Sequence, residues 1–596
     1  MDFSSNQDAK HSNSPAIARI CNAESAEKTR FKVANRVKHY TIVLANTRME
    51  DCQVSRGCAM SSRRFLKSIF FVAVVISGCA WLPHEPARTK SADILIRNGR
   101  VIDGTGNSWF DADIAIRDGK IVAIGRLGHF TAARTIDAAR QIVAPGFIDV
   151  HTHIEFDLFI HPSADNFLHD GVTSVVTGNC GGSYEDLKEF FARIDRERAS
   201  INVASLIGHN TVRRQVLGLA NRVASPDDQA RMESMVADAM KQGAVGLSTG
   251  LLYLPGVYSS TEEVIGLARA AAAHGGIYAS HIRNETDKVM DAINEALDIG
   301  RAAKMPVQIS HLKVGGQGNW GRSREMLALI DRARTEGIDV TIDQYPYTAS
   351  STSLQVMLPD WAREGGAGDI KKRLADERQR KIIAGDILDS ARRNKRPNFS
   401  YAVVSRHEAD ASLNGKNLSV INREKGRPQT IEAEIETMLD LLEAGGAQMV
   451  FHGMNEDDVR NIMRYPFNAV ASDGGIQDGK GLPHPRSYGT NARVLGKYVR
   501  EEKIVTIEDA VRRMTSLPAQ KFQLKDRGLL REGYAADIVI FDEKTIRDNA
   551  TFEKPHQFST GVSHVIVNGK SAIDSGRHTG LRNGNALKGP GYMPGS

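Results

Sequence analysis

Residues 145–153 read Pro-Gly-Phe-Ile-Asp-Val-His-Thr-His. After the Pro-Gly turn, an apolar run over Phe147–Val150 predicts a short strand, and two histidines follow two residues apart. Alternate residues of a strand share a face, so His151 and His153 point the same way. Seven further strands of this kind follow at intervals filled by amphipathic helical stretches. They are TSVVTGNC (173–180), NVASLIGH (202–209), AVGLSTGL (244–251), GIYASHIR (276–283), PVQISHLK (306–313), DVTIDQYPY (339–347) and NAVASDGG (468–475). Strand and helix in regular alternation predict repeated βα units, and eight of them predict a (β/α)₈ barrel of the α/β class. An open Rossmann-like sheet is the alternative, but no Gly-rich phosphate loop follows the first strand.

On both sides of this middle the pattern changes. Residues 93–104 (DILIRNGRVIDG), 112–125 (ADIAIRDGKIVAIG) and 135–147 alternate apolar and polar residues around Asn-Gly and Asp-Gly, which predicts β-hairpins. Residues 536–546 and 562–573 have the same grammar. The two ends are therefore expected to build one small β-sandwich, from 92–146 and 516–596, beside a barrel spanning 147–515. Residues 361–426 turn highly charged (KKRLADERQRK, ARRNKRPN) and read as an insertion between strands seven and eight. Its basic runs are expected to form a solvated face, with a lid over the site as the alternative.

The chain of 596 residues carries 77 Lys+Arg against 71 Asp+Glu, a net charge of +6 without a dominant basic block. That gives no footing for a nucleic-acid partner. The expected partner is a small molecule, and nothing in the sequence sets an oligomeric state. Of five cysteines, Cys21, Cys52, Cys58 and Cys79 precede residue 80, so Cys180 alone lies in the folded body and a disulfide framework there is excluded.

Residues 60–79 (MSSRRFLKSIFFVAVVISGC) place Arg63 and Arg64 before an apolar run, Ile69–Ile76, too short to span a bilayer but of signal-peptide length. The ending Ile-Ser-Gly-Cys resembles a bacterial lipobox, which implies lipidation at Cys79. The expected organisation is an upstream extension outside the native protein (1–59), a signal peptide (60–78) and a linker (79–91). The expected location is the cell envelope, facing the periplasm, with the N-terminal lipid in the membrane; without use of the signal it is the cytoplasm.

In a barrel of this type the active site lies at the C-terminal ends of the strands. Strand one ends in His151 and His153, strand two in Cys180, strand five in His281, strand six in His311 and strand eight in Asp473. Imidazole and thiolate are the ligands zinc prefers. A single histidine at such a place reads as a hydrogen-bonded core residue, but five ligand-type residues and an aspartate at one mouth read as a metal centre.

Pro145–His153 is similar to the opening motif of the amidohydrolase superfamily. Many binuclear members bridge their metals with a lysine on strand four, and AVGLSTGL has none. Gly178-Asn179-Cys180-Gly181 instead resembles the N-acyl-D-amino-acid deacylases (D-aminoacylases). So do Ser248–Tyr253, Ser280–Glu285, Ile309–Lys313, Tyr345-Pro346-Tyr347, Ala471–Gly474 and His484–Gly489. Two departures are visible: Ile154-Glu155 follows the first histidines where the family has two acidic residues, and Leu312 stands where a second histidine often follows the ligand.

The resemblance implies hydrolysis of N-acyl-D-amino acids, with one tight zinc on Cys180, His281 and His311. A second, weaker site would use His151, His153 and the shared Cys180. Asp473 would take a proton from water and pass it to the leaving amine. Arg486 and Tyr345 are expected to meet the substrate's α-carboxylate, with Lys313 facing the same mouth, Tyr253 near the amide oxygen and Arg283 as a further binder or an ion-pair partner. Alternatives are a dihydropyrimidinase-, hydantoinase- or dipeptidase-like relative, and a non-catalytic envelope binding protein.

Overall fold

A computed structural model describes residues 90–595. The expected extension, the signal peptide and Cys79 lie outside the described residues, as does all but the last part of the linker. Among the described residues no helix is long and apolar enough to cross a membrane.

All eight expected strands are present: β1 (Phe147–Asp149), β2 (Val172–Thr177), β3 (Asn202–Ser205, resuming as Ile207–Gly208), β4 (Gly246–Gly250), β5 (Ile277–His281), β6 (Val307–Ile309), β7 (Val340–Gln344) and β8 (Asn468–Val470). Every pairing between them is parallel. Their ladders form two arcs, β1-β2-β3 and β3 to β8. The arcs share β3, which breaks at Leu206, and they meet again above β1 and β8. There Thr152 bridges Gly474, and Asp473 N–H donates to His151 O at 2.8 Å. The carboxylate of Asp149 braces the same seam by accepting from the backbone N–H groups of His151 and Ser472.

The strands are buried along their whole length because helices cover them, as expected for parallel strands. The helix Pro226–Gln242 shows how the sequence sets those helices. Ser225 and Asp228 cap it reciprocally, and Gly243, at φ +117°, ends it. A cluster that includes Val176, Ala204, Val245, Ile277 and Ala469 is closed off by Leu517, Phe522 and Leu524. Beyond it the chain crosses the entrances of β3 and β4. Gly584 N–H donates to Ala199 O, Leu587 N–H to Val203 O and Gly589 N–H to Gly243 O.

The two β-rich ends form one nine-stranded sheet. It is joined where Ile142–Pro145 pairs antiparallel with Ile538–Phe541. Asp118-Gly119 and Asn568-Gly569 make the expected tight hairpins, each with positive φ at both residues. Asn98-Gly99 does not: it forms a bulge inside the single strand Lys90–Val101, with Asn98 at φ +57°.

The charged insertion is larger than the composition of 361–426 suggests. Ser350–Ser353, Gln448–Phe451 and Ala402–Arg406 form an antiparallel sheet covered by the helices Ala367–Ala375, Glu377–Arg393 and Ile431–Glu443. This unit has its own core, with Leu354, Leu374, Ile387, Phe399, Met438 and Met449 buried together. Part of the basic run is not simply solvated. Arg380 ties two of the helices by pairing with Glu436, Asp440 and Glu443.

Candidate metal centre

Three of the expected metal-site residues sit just past a strand end with backbone in the left-handed region: Cys180 at φ +52°, His311 at +35° and Asp473 at +51°. Such conformations cost on the order of 1–3 kcal/mol each for a non-glycine residue and gather at functional sites. Glycines make the turn around Cys180 feasible. Gly178 and Gly181 have φ +77° and +76°, and a Cβ on either would lie 2.3 Å from Leu206 O or 2.1 Å from Asn210 Oδ1. Asn179 donates to the carbonyls of Val150 and Val176, locking the turn to β1 and β2. The Ser248 hydroxyl bonds both Gly178 O and Gly181 N–H.

The turn delivers the Cys180 thiol to a point shared by three imidazoles. Its Sγ lies 3.2 Å from His151 Nε2, 3.5 Å from His311 Nε2 and 3.6 Å from His281 Nδ1. Two donor sets result, Cys180 with His281 and His311, and Cys180 with His151, His153 and Asp473. In a tetrahedron with Zn–S near 2.3 Å and Zn–N near 2.0–2.1 Å, ligand atoms are about 3.5 Å apart. The observed spacing, the soft thiolate and the imidazoles fit zinc.

Burial pushes the Cys180 thiol well up, with Asp473 adding to it. Burial also holds His281 and His311 below the usual histidine range, which keeps the rings neutral and able to ligate. A cation placed here would therefore supply the charge that ionises the thiol. Burial opposes ionisation of Asp473, but the Arg486 guanidinium, helped by the hydrogen bond to His153, outweighs it and holds the carboxyl well below the usual range.

Asp473 Oδ1 is 3.0 Å from His153 Nε2 and 3.5 Å from His151 Nε2. Its Oδ2 is 2.9 Å from Arg486 Nη1. The Arg486 guanidinium lies 4.5 Å above the Tyr345 ring, and the Tyr345 hydroxyl is buried with no hydrogen-bond partner. Lys313 pairs with Glu285 and lies 2.7 Å from His311 Nδ1. The Tyr253 ring lies against His281 at 4.6 Å, and its hydroxyl accepts from Thr352.

Arg283 is not brought to this group. Its guanidinium pairs with Glu295 and donates to the carbonyls of Val257 and Ser259, so it takes the ion-pair role and joins the end of β5 to the following helix. The cause is the end of β5 at His281, after which strand alternation no longer sets where side chains point.

Two residues behind the ligands were not singled out from the sequence. Asp343 lies 3.4 Å from His151 Nδ1 and accepts from the His311 backbone N–H at 2.7 Å. Glu285 lies 3.1 Å from His311 Nδ1. A carboxylate inside the apolar stretch VTIDQ was the available signal for Asp343. The departures also find places: Glu155 accepts from Gly178 N–H, while Ile154 and Leu312 are buried.

A profile of the amidohydrolase family matches residues 134–573. An N-acyl-D-glutamate deacylase from Alcaligenes xylosoxydans xylosoxydans is 38% identical over 502 residues, covering 80% of this chain and 93% of the relative. This chain belongs to the D-aminoacylase branch of the amidohydrolase family.

Among solved structures, an N-acyl-D-glutamate deacylase from Bordetella bronchiseptica, complexed with zinc and a phosphonate mimic of the tetrahedral intermediate, is 35% identical. It matches with a TM-score of 0.71, covering 84% of this chain and all of the other. A D-aminoacylase described for its binuclear metal centre, with one-metal activation and second-metal attenuation, matches with a TM-score of 0.72 at 33% identity, covering 83% and 100%. The amidohydrolase barrel explains why all the donors gather at one end of the strands.

Proposed function

We propose that this amidohydrolase is a zinc enzyme that hydrolyses the amide bond of N-acyl-D-amino acids, giving a carboxylate and a free D-amino acid. The observation that carries the reading is the thiol of Cys180, set between His281 and His311 on one side and His151 on the other, with Asp473 beside them. Cys180, His281 and His311 would hold the tight ion, and His151 and His153 a weaker one with Cys180 shared. Bound zinc polarises a carbonyl and makes water nucleophilic near neutral pH.

The chain's own residues supply the rest. Asp473, held ionised, accepts the proton of the attacking water and returns it to the departing amine nitrogen. Asp343 and Glu285 orient the ligating rings through their second nitrogens. Arg486 and Tyr345 would bind the α-carboxylate and so fix the amide over the metal centre, a reading supported by the guanidinium over the Tyr345 ring and the unpartnered Tyr345 hydroxyl.

A hydantoinase-like reading loses support from β4, whose residues Gly246–Gly250 include no lysine to bridge two metals. A non-catalytic binding role loses support from the complete donor set. The test is metal analysis together with a panel of N-acetyl-D- and N-acetyl-L-amino acids, with and without added zinc. Bound zinc and hydrolysis confined to D substrates are expected. A zinc-loaded protein that turns over no member of the panel would overturn the proposal.

For location, the reading is an envelope lipoprotein anchored through Cys79. Its support is the basic start, short apolar core and Ile-Ser-Gly-Cys ending of residues 60–79. One acyl chain binds membranes only marginally, so stable anchoring needs the several chains of a bacterial lipoprotein.

A further inference from the structure

The chain that leaves the strand Ile538–Phe541 does not stay with the β-sheet. Before it returns as the strand Val562–Val567, Arg547 bridges Thr560 across the loop, and the next residue is Asp548. The Asp548 side chain is only 4% exposed, and it meets two elements of the barrel at once. Just past β7, the Tyr347 hydroxyl donates to its Oδ2 at 2.9 Å. Arg493, which ends the helix Arg486–Arg493, lies 3.6 Å from the same oxygen. That helix departs from helical geometry at Gly489, where a Cβ would lie 2.0 Å from Asp548 Oδ1. The missing side chain is what lets the carboxylate lie against the helix. Burial raises the Asp548 carboxyl, and the Tyr347 hydroxyl and Arg493 guanidinium oppose it.

These two elements carry the groups assigned to the substrate's α-carboxylate. Tyr345 precedes Tyr347 by two residues, and Arg486 opens the helix that Arg493 closes. Arg493 also donates from Nε to Pro346 O at 2.7 Å, with its guanidinium 4.6 Å over the Tyr347 ring. The Tyr347 ring stands edge-on to His484 at 5.1 Å, and His484 Nδ1 accepts from the Arg486 backbone N–H at 3.0 Å. The hydrogen bonds and ion pair of Asp548 go to Tyr347, Arg493 and the backbone N–H of Ala550. Any effect it has on the substrate therefore passes through the two elements it joins.

We propose that Asp548, supplied by the C-terminal part of the chain, is a positioning residue that clamps Tyr347 to the helix of Arg486 and so sets the spacing at which Arg486 and Tyr345 bind the α-carboxylate. This rests on the deacylase reading above and adds to it a residue outside the barrel mouth. The quantity fixed is the 4.5 Å between the Arg486 guanidinium and the Tyr345 ring. The α-carboxylate is not part of the bond that breaks. Its binding acts alike on substrate and transition state, and a change in it shows in KM rather than kcat.

The experiment measures zinc content and steady-state kinetics of the zinc-loaded wild type, Asp548→Ala, Asp548→Asn and Tyr347→Phe. The substrate is the N-acetyl-D-amino acid that the wild type turns over fastest. In Asp548→Ala, KM should rise about 10-fold or more, as for loss of a hydrogen bond to a charged group, with kcat and zinc content near those of the wild type. Asp548→Asn keeps an oxygen for the Tyr347 hydroxyl and should restore part of the KM. Tyr347→Phe removes that hydroxyl alone and should raise KM in the same direction. An unchanged KM in Asp548→Ala overturns the proposal. So does a loss of kcat that exceeds the rise in KM, because it assigns Asp548 to the fold or to the metal centre. If Asp548→Ala does not fold, Tyr347→Phe decides, and a wild-type KM there overturns the proposal. A zinc-loaded wild type that hydrolyses no N-acetyl-D-amino acid overturns the deacylase reading and this one with it.

Discussion

Asp473 faces two ways: Oδ1 is 3.0 Å from His153 Nε2 on the metal side, and Oδ2 is 2.9 Å from Arg486 Nη1 on the substrate side. Proton transfer and α-carboxylate binding therefore share one side chain. Asp473→Asn should keep its zinc, since the thiolate site does not need it. Its kcat should fall by on the order of 10² to 10⁴, and KM should change because Arg486 loses its counter-charge. Metal content and steady-state kinetics check this; a loss of kcat below about tenfold would move proton transfer to another group.

Cys180 belongs to both donor sets. Cys180→Ala should lose bound zinc and activity together while the barrel stays folded by circular dichroism. Unchanged zinc content and turnover would remove the thiolate from the centre.

Gly181 touches no metal, yet its replacement should empty the site. A Cβ there would lie 2.1 Å from Asn210 Oδ1, and φ +76° is a conformation that L side chains rarely adopt. Gly181→Ala must shift the turn that presents Cys180, and a displacement of about 1 Å at a reacting group costs on the order of 10² in rate. Reduced zinc content with every donor still in the sequence is the expected result; wild-type zinc and rate would show that the turn adapts.

A pH dependence follows from Asp170, which accepts from the backbone N–H groups of Asn491 and Ala492 and from Ser559. Burial pushes this carboxyl up to about 7 despite those donors, from an ordinary value of 3.8. The folded protein therefore keeps a proton that the unfolded chain has lost across that window, and this group's contribution to stability falls as pH rises through it. Melting temperatures at pH 5 and pH 8 should drop more in the wild type than in Asp170→Asn, whose side chain does not titrate. Equal drops in the two proteins would assign the pH dependence elsewhere.

The location proposal is checked by fractionating cells that express the wild type and Cys79→Ser. The wild type should sediment with membranes and begin at Cys79, and the variant should not. Soluble cytoplasmic wild type, or intact protein retaining residues 1–59, would defeat the proposal and leave the barrel chemistry standing.

The barrel and its donors were legible because buried parallel strands are written as apolar runs, and each donor ends one of them. Side-chain direction past a strand end was not legible. Arg283 lies two residues beyond His281, yet it turns to Glu295 of the following helix, which no period of two could show. Asn98-Gly99 has the letters of a hairpin but lies in a strand paired on both sides, where a bulge satisfies the same backbone preference. The insertion was read from its charge alone, so its boundaries missed the strands Ser350–Ser353 and Gln448–Phe451, whose partners are distant in sequence.

The strap formed by residues 584–589 across the entrances of β3 and β4 has a consequence for biosynthesis. A chain emerging in order from the ribosome has all eight barrel strands long before it has this strap or the strand Ile538–Phe541 that pairs antiparallel with Ile142–Pro145. Until then the backbone carbonyls of Ala199, Val203 and Gly243 and the open side of the β-sheet lack the partners they have in the finished protein. A nascent chain of this length is a natural client for a holding chaperone, and stalling short of residue 584 should leave a species that aggregates although every metal ligand has been made.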